Sequence, residues 1–127
     1  MTVLVAGTSS AEGAAAYRYG IAEAARRGED LVYFVLEGEH TPSSDLGDVV
    51  ERVERPDERS QSAVGDLLDC AERESVSAIT VGVRHRTAVA KLILGSQAQQ
   101  IILEAGAPVI CVKACPPVRN SLGVANP

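Results

Sequence analysis

Residues 78–112 read AITVGVRHRTAVAKLILGSQAQQIILEAGAPVICV, and the fold follows from how that stretch divides. Ala78–Val81 is a short unbroken apolar run stopped by Gly82, and Val109–Val112 is a second one behind Pro108. Runs of this length without polar alternation suit strands covered on both faces. Between them, Ala88–Leu94 reads as a short helical turn. Ser96 stands three before Gln99, the spacing of a capping box, so a helix is expected over Gln97–Ala105. Gly106 closes it and Pro108 keeps it from resuming. Strand, helix, strand in that order is the repeating unit of a parallel sheet with helices on its faces.

The same alternation continues toward the N-terminus. Thr2–Ala6, ended by Gly7, and Leu31–Leu36 (LVYFVL) are two further buried-strand candidates. Ser9 stands three before Glu12, again a capping-box spacing, and the Ala-rich stretch Ala11–Arg27 favours helix. Arg26 and Arg27 suit its last turn, and Gly28 sits where a closing glycine belongs. Glu37–Asp48 is rich in Gly, Ser, Pro and Asp and reads as a loop. Val49, Val50 and Val53 suggest a short third strand, at an edge because Glu and Arg interleave with them. A helical stretch is expected from Asp57 and Glu58 to about Glu74, with Val64, Leu67, Leu68 and Ala71 as its apolar stripe. Ala114–Pro127 holds little apolar pattern and reads as a tail behind a domain of residues 1–113. The expected fold class is α/β, an open parallel five-stranded sheet flanked by helices. Such sheets bind ligands beyond the carboxyl ends of their strands, where the strand order reverses. That directs attention to Gly7–Ser10, to Glu37 onward, and to Gly82–Ser96.

Composition narrows the function. At 127 residues the chain is one domain, and 46% apolar with 23% charged residues is ordinary globular composition. A net charge of −5 weighs against nucleic acid or an anionic membrane as partner. With no Trp, one Phe and three Tyr, the core must be aliphatic and base-stacking platforms are scarce. No run of 18 apolar residues is present, and MTVLVAG lacks the basic start of a signal peptide. The odd set Cys70, Cys111 and Cys115 fits no disulfide framework, so a reducing, cytoplasmic setting is expected.

One segment inverts the charge of the chain. From Ser75 to Leu103 there is no Asp or Glu, while Arg84, Arg86 and Lys91 flank His85. Gly95 and Ser96 then precede a helix whose first N–H groups have no internal partners. Free amides, the positive end of the helix dipole and Arg84 together suit a phosphate-bearing ligand. The alternative is a solvated basic face, with Ser96 acting only as a cap.

Gly82-x2-His85-x9-Gly95-Ser96 resembles the nucleotide-binding motif of the universal stress protein family, Gly-x2-Gly-x9-Gly-Ser/Thr. AQQIILEAGAPVICVK resembles that family's last helix and strand. VLVAGTSS resembles its first strand and loop, and DLLDCAERESVSAITVG the passage from its third helix to its fourth strand. The resemblance covers roughly Thr2–Lys113. It implies strand order 3-2-1-4-5 and a crevice between strands 1 and 4 where some members bind ATP or AMP. By position, Gly82, Gly95 and Ser96, with the amides of Gln97 and Ala98, would hold phosphates and ribose, and Val35 would contact adenine. Arg84 and His85 lie inside the motif as further candidates. The resemblance also implies a homodimer through the last strand, here Val109–Lys113. The chain departs from the pattern in three places. Thr8 stands where ATP-binding members usually carry an Asp. His85 replaces the middle glycine. Glu37–Asp48 is too short and broken for the helix expected between strands 2 and 3.

Other chemistries find little support. There is no P-loop and no G-x-G-x-x-G after the first strand. His40 and His85 are far apart and the Cys form no CxxC pair, so no tightly bound metal is expected. Cys70 and Cys111 read as small hydrophobes, and Cys115 as a thiol in the tail. Ser9, Ser10 and Ser96 lack a recognisable His–Asp arrangement, so a hydrolase or transferase is not expected. Two readings remain. One is a stress-response regulatory module that binds ATP or AMP without fast turnover. The other is a homodimeric interaction protein of the same family that has lost nucleotide binding.

Overall fold

The fold is described from a computed structural model that covers residues 1–86 and 91–114. In chain order the elements are β1 (Thr2–Gly7), α1 (Ala11–Arg27), β2 (Asp30–Val35), β3 (Glu51–Glu54), α2 (Ala63–Glu74), β4 (Ala78–Arg86), β5 (Lys91–Ile93), α3 (Ser96–Glu104) and β6 (Val109–Lys113). Five strands form a parallel sheet in the order β3-β2-β1-β4-β6. Leaving out the short β5, this is 3-2-1-4-5. β5 pairs antiparallel with the far end of β4, with Arg84 opposite Ile93 and Arg86 opposite Lys91.

The unbroken apolar runs are explained by burial on both faces of the sheet. Leu4, Ala6, Val32, Phe34, Ile79 and Val81 pack with Leu67 and Cys70 of α2 and Ile101 of α3. Val3, Val5, Leu31, Tyr33 and Val35 point the other way, against Ala16, Ile21 and Ala24 of α1. Each fully buried side chain of this kind stabilises the fold by about 1.5–3 kcal/mol. Thr80, fully buried, donates its hydroxyl to the Ala16 carbonyl at 3.1 Å, so its polar atom costs little.

Helix α1 begins and ends where the chain's signals lie, with Gly28 left-handed (φ 67°) at its end. Its cap, however, is Ser10 rather than Ser9: the Ser10 hydroxyl accepts from the Gly13 N–H at 3.1 Å. Five other expectations are corrected. α2 starts at Ala63, capped by Ser62, because Asp57–Ser60 forms a turn with its own side-chain bonds. β3 starts at Glu51 and leaves Val50 63% exposed. β4 does not stop at Gly82 but runs to Arg86, its end held by β5. Lys91–Ile93 is therefore strand rather than helical turn, and residues 87–90 lie outside the described part. Finally, α3 is Ser96–Glu104 with Gly95 as its cap, so Ser96 is the first helical residue.

Gly82 has a packing role rather than a turning one. A Cβ built on it would lie 2.2 Å from the Glu12 carbonyl oxygen, so only glycine lets the start of α1 settle this close to β4. Fifteen residues join β2 to β3, enough for a parallel crossover, with a single 3₁₀ turn at Ser44–Leu46 in place of a helix. Of the expected tail only Ala114 is described; Cys115 and the rest lie outside the described residues.

Candidate functional site

The strand order reverses between β1 and β4, and beyond their carboxyl ends lies a cavity of about 570 Å³. That is the size of an ordinary small-molecule site, and the place expected for one in an open parallel sheet. The β1–α1 loop contributes Thr8 and Ser10, and the first turn of α1 contributes Glu12. Leu36 and Glu37 follow β2; Gly82 and Arg84 come from β4; Gly95, Ser96, Gln97 and Ala98 start α3. Ala6, Val81 and Ile101 supply an apolar floor.

Two helices point their N-termini at this space, and they differ in one respect. At α1 the Ser10 hydroxyl takes up the Gly13 N–H, and Glu12 sets a carboxylate in the first turn. At α3 the cap is Gly95, which has no side chain to offer, and the first internal bond runs from the Gln99 N–H to the Gly95 carbonyl. The N–H groups of Ser96, Gln97 and Ala98 therefore have no intrahelical partner, and all three residues line the cavity. An anion gains most at α3, by about 0.3–1 kcal/mol from the dipole when exposed and up to about 2 when partly buried.

Most of the residues singled out in the sequence meet here: Thr8, Gly82, Arg84, Gly95, Ser96, Gln97 and Ala98 all line the cavity. Val35 is not among the lining residues. Its side chain is buried on the α1 face with Val5 and Tyr33, and its neighbour Leu36 faces the crevice instead. His85 is placed by its backbone opposite Leu92, and its side chain lies outside the described part. The Thr8 hydroxyl is 2.8 Å from that of Ser10, so it is already engaged.

Charge in the crevice is more mixed than the basic segment suggests. Glu12 and Glu37 line it as well as Arg84, and the Glu12 carboxylate lies 3.5 Å from the Arg84 guanidinium. The sequence pointed to the loops that hold Ser10 and Glu37 without singling out either as a site residue, and it passed over Glu12 and Leu36 as cavity residues. The one available signal was their position, immediately after β1 and β2 at the reversal point. Among the described residues no group of three or more His, Cys, Asp or Glu could hold a metal ion, and no helix is long and apolar enough to cross a membrane. Cys70 is buried, which pushes its thiol up from the ordinary value, whereas Cys111 is exposed on β6.

Comparison with known proteins agrees with this architecture. The model of the Universal stress protein family matches residues 50–113. A universal stress protein of Mycolicibacterium smegmatis is 33% identical over 115 residues, covering 80% of this chain and 88% of that one. A universal stress protein of Archaeoglobus fulgidus superposes with a TM-score of 0.63 at 27% identity, over 88% of this chain and 97% of the other. The structure of the universal stress protein from Archaeoglobus fulgidus in complex with dAMP shares the fold, with a TM-score of 0.59 at 22% identity over 88% and 96% of the two chains. With its sheet order, its strand-to-helix crevice and this likeness along most of its length, the chain belongs to the universal stress protein family.

Proposed function

We propose that this protein is a regulatory module that binds an adenine nucleotide, AMP or ATP, in the crevice between β1 and β4 without turning it over quickly. The observation that carries the reading is the N-terminus of α3, without a side-chain cap, whose first three residues line a cavity of about 570 Å³. Phosphate would sit against the amides of those residues and Arg84, with the base toward the apolar floor. The complex of a related fold with dAMP supports the same ligand class. Among the described residues, no group along the cavity is arranged as a nucleophile with its base, which favours binding over catalysis. Calorimetry with AMP, ADP and ATP, with and without Mg²⁺, tests the reading. Heat at micromolar to millimolar concentrations is expected, and its absence up to millimolar nucleotide sinks it.

A second reading, a homodimeric interaction protein that binds no nucleotide, is favoured by the acid already inside the crevice. Glu12 occupies Arg84, and the Thr8 hydroxyl is engaged by Ser10. Either reading accommodates a homodimer through Val109–Lys113. β6 pairs with β4 on one side, and its Cys111 and Lys113 are exposed. Light scattering on the wild type, compared with a variant carrying Ile110→Lys, tests that association.

A further inference from the structure

A second cluster of titratable side chains lies away from the crevice, beneath the long β2–β3 connection. The His40 imidazole and the Glu51 carboxylate are only 4% and 5% exposed, and His40 Nε2 lies 2.9 Å from Glu51 Oε2. The other Glu51 oxygen accepts the Tyr17 hydroxyl proton from α1. The Tyr17 oxygen in turn accepts the Ser43 N–H at 3.0 Å. The His40 ring stacks on Tyr33 of β2, with centroids 3.6 Å apart and planes 12° from parallel. Four structural units thus converge on one buried polar knot: α1, β2, β3 and the connection itself. Leu46 and Val49 hold the later part of the connection against the α1-face core, and the knot holds its first part, where buried polar groups hold only if each finds its partner.

The knot is joined to the crevice by a very short path. The Tyr33 ring lies so close to Gly7 that a Cβ there would fall 2.2 Å from it. The Gly7 carbonyl accepts from both the Leu36 and the Glu37 N–H, at 2.8 and 3.2 Å. Leu36 and Glu37 are the crevice lip. Gly38 (φ 77°) then packs against Ser9, where a Cβ would come within 2.9 Å of the serine's own. Two residues later the chain reaches His40.

We infer that His40, Tyr17 and Glu51 are positioning residues for the crevice: they clasp the β2–β3 connection so that Leu36 and Glu37 form a fixed wall for the ligand. The inference rests on the reading of the crevice as a ligand site. A clasp that sets the wall is linked to binding in both directions. Opening it weakens the ligand's hold, and the ligand tightens it at Ser43, a residue that does not line the cavity.

Amide hydrogen exchange by NMR on the full chain tests this, with AMP as the probe. In His40→Ala, and in Tyr17→Phe should the first variant fold poorly, exchange at Leu36, Glu37 and Ser43 is expected to speed by about tenfold or more while Ile79 stays protected. Glu51→Gln keeps an acceptor for Tyr17 and a partner for His40, so it should leave Leu36 and Glu37 within about twofold of wild type. The upfield shift of the His40 ring protons by Tyr33 reports the closed clasp and should be lost in Tyr17→Phe and kept in Glu51→Gln. AMP should slow exchange at Ser43 in the wild type and bind at least about fivefold more weakly to the open variants. The inference is overturned if Ser43 loosens without Leu36 and Glu37, if every amide in the chain speeds alike, or if AMP binds and leaves Ser43 unchanged. A wild type that takes up no AMP defeats the nucleotide reading instead, and the exchange arm still decides whether the clasp holds the wall.

Discussion

The Glu12 carboxylate lies 3.5 Å from the Arg84 guanidinium across the crevice, so the cation best placed to meet a phosphate already faces an anion of the protein. Arg84 is 66% exposed at its side chain and Glu12 22%. The pair itself contributes little to stability at that exposure. Its consequence falls on the ligand, because a phosphate must share Arg84 and tolerate Glu12.

Neutralising that acid should therefore strengthen binding. Glu12→Gln is expected to tighten nucleotide by about two- to fivefold, more for ATP than for AMP because repulsion grows with ligand charge. The gain should shrink as salt is raised. Calorimetry at two ionic strengths measures both effects. Equal affinity of wild type and variant for both nucleotides would place the phosphates elsewhere.

The free amides of α3 can be tested without disturbing the helix. Ser96 is its first residue, where proline is tolerated, and Gly95 before it is already extended (φ −67°, ψ 164°). Ser96→Pro should remove one N–H from the crevice at nearly constant Tm. Loss of one charge-assisted hydrogen bond, about 1.5–3 kcal/mol, corresponds to about 10–150-fold in affinity. A thermal melt beside the titration separates this from unfolding; unchanged affinity would show that the Ser96 amide does not touch the ligand.

Gly82 makes a prediction about stability. Its absent Cβ would meet the Glu12 carbonyl oxygen at 2.2 Å, a backbone atom that cannot swing aside. Gly82→Ala should cost about 1–3 kcal/mol by overpacking, read from the urea midpoint. A midpoint equal to wild type would mean that α1 is not seated on β4 this closely.

Alkaline pH should loosen the fold through the tyrosines. Burial and the bond to Glu51 push the Tyr17 hydroxyl from 10.0 up to about 12, and burial raises Tyr33 in the same direction. The fold thus favours the protonated phenol. That stability is fully present below pH 10 and is lost as pH rises from about 10 to about 12, as the unfolded chain ionises first. Urea unfolding of wild type and Tyr17→Phe across this range isolates the contribution. The difference between them should narrow with rising pH, and a constant difference would rule it out.

The two halves of the crevice were unequally visible in the sequence. The Gly82-x12-Gly95-Ser96 side was legible because its spacing is local: a strand, a basic turn and a helix start follow one another in the chain. Glu12 read only as a capping-box partner and Glu37 only as the start of a loop, since nothing in their neighbours reveals that their side chains line one space with Arg84. Val35 and Leu36 show the same gap at finer scale. Alternation along a strand says that they point to opposite faces, but the chain alone does not say which face meets the crevice. His40 and Glu51 were invisible as a pair, because their contact depends on where an irregular connection returns to the sheet.

What the sequence by itself determined was the five parallel strands, the three helices and their layering, but not the short β5. Unbroken aliphatic runs require cover on both faces, and small residues, caps and glycines punctuate the helices between them. What only the tertiary structure decided was which side chains share a space: the acid facing Arg84, the lip beside Thr8, and the knot of Tyr17, His40 and Glu51. Local propensity acts over a few residues, whereas these contacts join positions brought together only when the parallel strands take up their order and register.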